Sequence, residues 1–106
     1  MALTRDFNES VKARATRDPE FRVGLLQEAL DALLDADLAT GKVLLRDYVN
    51  ATVGFKTLGA QLHKNPKSLM RMLSEQGNPR ADNLFELVAQ LKGNEGVAFS
   101  VQRDRS

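Results

Sequence analysis

The segment that most restricts the fold is FKTLGAQLHKNPKSLMRMLSEQGNPR, residues 55–80. Phe55, Leu58 and Leu62 recur at three- and four-residue spacing, which predicts a helix of about two turns with one apolar side. His63, Lys64 and Asn65 follow. Asn65 suits the cap of a second helix, because its side-chain oxygen can accept a hydrogen bond from an amide of the first turn. Pro66 suits the first helical position, where its missing N–H would have had no partner. Leu69 and Leu73 give this second helix an apolar side to bury against the first, Gly77 is expected just past its end, and Pro79 prevents continuation. Gly59 falls where a missing side chain would let the two helices approach closely.

The outward side of the second helix is the next constraint. At about 100° per residue, Pro66, Leu69, Met70 and Leu73 centre on the side expected to be buried. Lys67, Ser68, Arg71 and Ser74 centre on the other, which is polar and cationic. Charge along the chain is uneven although the net charge is only +1. Over residues 18–37, Asp18, Glu20, Glu28, Asp31, Asp35 and Asp37 stand against Arg22 alone. Over residues 42–80, Lys42, Arg46, Lys56, Lys64, Lys67, Arg71 and Arg80 outnumber Asp47 and Glu75. The middle segment is therefore the candidate surface for a polyanion.

The remaining sequence also reads as helix with short connections. In DPEFRVGLLQEALDALLD, Asp18 is a candidate N-cap and Pro19 a first helical residue. Phe21, Leu25, Leu26, Ala29, Leu30, Leu33 and Leu34 then form one apolar stripe. Asp37 can cap a second long helix carrying Leu45, Tyr48, Val49 and Thr52 on one face, with Gly41 weakening its first turns and Gly54 ending it. Residues 8–17 are expected to form a short basic helix. Leu84, Leu87, Val88 and Leu91 mark a helix that closes the core. Val97, Phe99 and Val101 alternate as in a short C-terminal strand, which would need the same strand of a second subunit as its partner.

Two short helices crossed at a turn of three residues have helix-turn-helix geometry. At LRDYVNATVGF, SLMRMLSEQGNP and NLFELVAQL the chain, from about residue 18 to residue 101, resembles the Cro-repressor-like (XRE-type) helix-turn-helix regulators, and within them the addiction-module antidote (antitoxin) branch. The resemblance implies an all-α, lambda-repressor-like domain that binds DNA, usually as a homodimer. It places Pro66, Lys67, Ser68, Met70 and Arg71 on the recognition helix. Two positions depart from the family pattern. His63 stands at a turn position often filled by glycine, although histidine enters the left-handed region more readily than most residues. Lys64 stands where an apolar residue is common and adds a cation beside the groove.

The expectation is thus one domain, with residues 1–54 as an N-terminal helical extension, 55–101 as the helix-turn-helix region and 102–106 as a tail. Its expected function is that of a DNA-binding transcriptional repressor acting as a homodimer. Lys67, Ser68 and Arg71 would read bases, because lysine and arginine reach guanine O6 and N7 in the major groove and serine can donate there. Lys56, Lys64, Asn65, Ser74 and Arg80 would hold phosphates. A different class of function is an antitoxin whose acidic, leucine-rich N-terminal helices mask a basic toxin. With no cysteine and a single histidine, His63, the sequence offers no disulfide, thiolate metal site or cysteine nucleophile. It shows no Gly-rich phosphate loop or credible catalytic triad, so an enzyme and a bound cofactor or metal are not expected. No apolar run approaches the ~20 residues that span a bilayer, and no secretory signal is evident, so a cytoplasmic protein without membrane contact is expected.

Overall fold

The computed structural model describes residues 2–104, with side chains from residue 10 onward. Its elements are all helical: α1 (Ala2–Arg17), α2 (Pro19–Leu34), α3 (Leu38–Ala51), α4 (Phe55–Leu62), α5 (Pro66–Met72) and α6 (Ala81–Glu95). No helix among the described residues is long and apolar enough to cross a membrane. Helix starts follow local chemistry. Asp18 accepts from the Phe21 amide at 3.2 Å with Pro19 next to it, and Asp37 accepts from the Thr40 amide at 3.1 Å. Hydrogen bonds from Thr40 hold the Asp37 carboxyl below its ordinary range.

Three helix ends share one device. After α2, α4 and α6 the chain enters the left-handed region at Ala36, His63 and Gly96. Three amides then reach back to close the final turns: Asp37 to the Ala32 carbonyl at 2.9 Å, Lys64 to Gly59 at 2.9 Å and Val97 to Lys92 at 3.3 Å. Glycine occupies this position only after α6; Ala36 and His63 bear the steric cost of a side chain there.

α2 and α3 form the most extensive helix pair. The α2 stripe is buried at Leu26 and Ala29 and partly covered at Leu25, Leu30 and Leu33, so its apolar side faces α3 rather than solvent. Gly41 allows this approach, since a Cβ there would stand 2.8 Å from Leu33 Cγ. The core continues through Leu45, Tyr48 and Val49 of α3, Phe55 and Leu58 of α4, Leu69 of α5, and Leu84, Leu87, Val88 and Leu91 of α6. Leu45, Leu58, Leu73 and Leu87 are completely buried, each contributing roughly 1.5–3 kcal/mol of transfer free energy.

Four polar groups cross this core. The Glu95 carboxylate accepts from Arg22 Nε at 3.1 Å and from the Tyr48 hydroxyl, while Arg22 Nη1 donates to the Ala15 carbonyl at 2.6 Å. Burial, and then the neighbouring Glu95 carboxylate, push the Tyr48 phenol well above its ordinary range.

Several sequence expectations change. The N-terminal helix is longer than residues 8–17, because α1 begins at Ala2. α5 ends at Met72, short of Gly77, as the Ser74 amide bonds to the Arg71 carbonyl at 3.1 Å and tightens the last turn. Gly77 is needed instead for a close approach: a Cβ there would stand 2.6 Å from the Met72 carbonyl oxygen. Met70, expected on the buried side, is 48% exposed. α5 packs mainly on α4, so only a narrow arc centred on Leu69 is covered, and Met70 lies about 100° away from it. No C-terminal strand forms among the described residues: residues 97–104 are irregular, with Val97 packed on the core and Val101 fully exposed. A lone extended segment has no neighbour to satisfy its backbone groups. The last two residues of the 102–106 tail lie outside the described residues.

Candidate nucleic-acid interface

α4 and α5 meet across the turn formed by His63, Lys64 and Asn65. His63 has φ 55° and ψ 44°, and Asn65 Oδ1 accepts from the Lys67 amide at 2.8 Å, leaving its side-chain NH2 as a donor. Gly59 sets the separation, because a Cβ there would stand 2.7 Å from the Lys64 carbonyl oxygen and 3.0 Å from Pro66 Cγ.

Beside α5 lies an open groove of about 870 Å³. The turn, α5 and its end contribute Lys64, Asn65, Ser68, Arg71, Met72 and Ser74 to its lining, and the α5–α6 segment and the start of α6 contribute Gln76, Gly77, Asn78, Pro79, Arg80 and Asn83. Its lining includes the cations Lys64, Arg71 and Arg80 and the amides Asn65, Gln76, Asn78 and Asn83, and no carboxylate. Such a surface offers donors and positive charge to an anion.

Six of the residues chosen from sequence come together on this groove: Lys64, Asn65, Ser68, Arg71, Ser74 and Arg80. Lys67 is exposed at the start of α5, Met70 is half exposed, and Pro66 is half buried at the first turn, none of them lining the groove. Lys56 is exposed on α4, also outside the lining. Gln76, Asn78 and Asn83 were not anticipated. The Gly-Asn-Pro run was legible as a helix stop, and only the folding back of the loop makes it a wall.

The cations differ in their engagement. Lys64 Nζ lies 3.5 Å from Glu86 and 3.4 Å from Asn83 Oδ1, and Arg80 lies 3.1 Å from Asp82. Both pairs are solvent-exposed enough to be worth at most about 1 kcal/mol, so a phosphate can displace the carboxylates. Lys67 and Arg71 form no ion pair among the described residues. Lys42, counted by charge with the polyanion-facing segment, is buried and turned away from that role: its Nζ donates to the carbonyls of Glu75 at 3.1 Å and Gly77 at 2.6 Å. Arg46 Nη1 likewise donates to the Leu73 carbonyl at 3.3 Å. No group of three His, Asp or Glu side chains converges as a metal site among the described residues.

Comparisons with protein-family models, with curated proteins and with solved structures return no match.

Proposed function

We propose that this chain is a sequence-specific DNA-binding transcriptional regulator, a repressor acting as a homodimer. α4, the His63–Asn65 turn and α5 serve as its helix-turn-helix, and α5 as its recognition helix. The observation that supports this reading is the groove beside α5 that gathers Lys64, Ser68, Arg71 and Arg80 with no carboxylate in its lining. Lys67, Ser68 and Arg71 project to base edges in the major groove, where α5 fits with its first turn leading. Lys64, Asn65, Ser74 and Arg80 hold the backbone phosphates, with Lys56 farther along α4.

The test starts with selection of bound duplexes from a random pool, followed by titrations of the preferred site and a random duplex across a salt series. Arg71→Ala should cost about 1–3 kcal/mol on the preferred site with little loss on random DNA. Lys64→Ala should weaken both alike and lower the salt slope by about one per half-site. Wild-type protein that binds no DNA in a salt-dependent way would end this reading.

A second reading has its own observation. On α2, Glu20, Glu28 and Asp31 are exposed, as is Asp35 just past its end, and Leu34 is 80% exposed at the helix end, a surface suited to a basic protein such as a toxin. A stoichiometric complex with a small basic protein encoded beside this one would favour it, with or without DNA binding.

A further inference from the structure

Two α3 side chains hold the segment after α5 that contributes to the groove's lining. Lys42 is only 6% exposed, and its ammonium, aimed at the loop between α5 and α6, holds the carbonyls of Glu75 and Gly77. One turn along α3, Arg46 holds the carbonyl of Leu73, where α5 ends. These three carbonyls belong to the last turn of α5 and the segment after it, which helical bonding alone leaves without partners. The same segment presents Ser74, Gln76, Gly77 and Asn78 to the groove. A buried ammonium is costly unless fully bonded, and its two carbonyls are equally costly once it is removed. These bonds tie the loop and the end of α5 to α3.

We propose that Lys42, assisted by Arg46, is a positioning residue for DNA reading: it fixes the α5–α6 loop, and so the shape of the groove, without touching DNA itself. The assignment rests on the DNA-binding reading above. It separates two kinds of cation in one basic segment, those that meet phosphate and those spent on backbone carbonyls.

The test compares wild type with Lys42→Met, which keeps a long apolar stem and removes the donors. Amide exchange at Ser74 and Gly77, whose N–H groups donate to the Arg71 and Ser74 carbonyls at 3.1 and 3.0 Å, should accelerate by at least about tenfold while Leu45, Leu58 and Leu87 stay protected. Discrimination between the preferred site and a random duplex should fall about tenfold, with Lys42→Arg restoring part of it. The salt slope should stay as in wild type, whereas a lost phosphate contact would lower it by about 0.9. Should Lys42→Met lose its helical circular dichroism, Arg46→Met, which removes only the bond to Leu73, carries the same comparison. Unchanged loop exchange in a protein that does bind DNA would overturn the assignment of Lys42 alone. A reduced slope with an unchanged loop would make Lys42 a direct phosphate contact. Absence of any DNA binding by wild type would instead remove the functional reading, with the loop exchange still reporting what Lys42 holds.

Discussion

Arg22 of α2 and Glu95 at the end of α6, 73 positions apart in the chain, meet at 3.1 Å inside the molecule. The Glu95 side chain is 8% exposed and that of Arg22 is 24% exposed, so the pair is largely removed from solvent. Taking away one partner strands the other: Arg22→Met should cost about 3 kcal/mol in urea denaturation. Arg22→Met combined with Glu95→Met should be less damaging than Arg22→Met alone, because no charge is left buried. A double variant no better than the single one would show that Glu95 is satisfied without Arg22.

Tyr48 is the only tyrosine, so its ionisation can be followed directly by ultraviolet titration. Burial and then Glu95 raise its folded pKa, and tyrosinate should not form at the usual pH of about 10 while the protein stays folded. The folded value lies above the unfolded one, so this stabilisation is complete below pH about 10 and is lost as pH rises beyond it. Tyr48→Phe should remove that alkaline dependence from the denaturation curve. A normal titration in folded protein would contradict the buried hydrogen bond to Glu95.

Glycines at two positions should respond in opposite ways. Gly59→Ala puts a methyl group 2.7 Å from the Lys64 carbonyl oxygen, where only backbone movement can relieve it, and should destabilise by about 1–3 kcal/mol. Gly93→Ala, inside α6 and facing open space, should stabilise by about 0.5–1 kcal/mol. Thermal melts of the two variants decide both.

Much of this architecture was legible because it depends on chemistry within a few residues. Asp18, Asp37 and Asn65 cap amides two or three positions away, and the Asn-Pro start of α5 needs no tertiary information. The groove was legible only on its α5 side. The rest of its lining depends on α3 side chains donating to loop carbonyls, and a lysine such as Lys42 reads as surface in any local window. Met70 was misplaced because a seven-residue helix packed chiefly on one neighbour buries a narrower arc than its apolar residues span. Ala36 gave no turn signal at all, since alanine ordinarily favours helix.

That same alanine offers a stabilising change. Ala36 holds φ at 63°, and Ala36→Gly should gain up to about 1 kcal/mol as relief of strain exceeds the added freedom of the unfolded chain. A lower midpoint in denaturant would mean that the left-handed turn after α2 is not populated in solution.

Asp37, which opens α3 just after that turn, should give a pH signature. Its folded pKa is depressed by Thr40, so the stabilisation is present above the unfolded value of about 3.9 and is lost as pH falls through the lower folded value. Asp37→Ala should melt earlier than wild type at neutral pH, and the gap should close on acidification. A gap that persists under strongly acidic conditions would rule out the charged cap as its source.

The polar chain from the Ala15 carbonyl through Arg22 and Glu95 to Tyr48 draws on α1, α2, α3 and α6. Detaching α2, α3 or α6 would separate Arg22, Tyr48 or Glu95 from its partner, and detaching α1 would take the Ala15 carbonyl from Arg22. Opening of the molecule is therefore expected to be all-or-none across them, and a cut that releases either end of the chain would loosen the other.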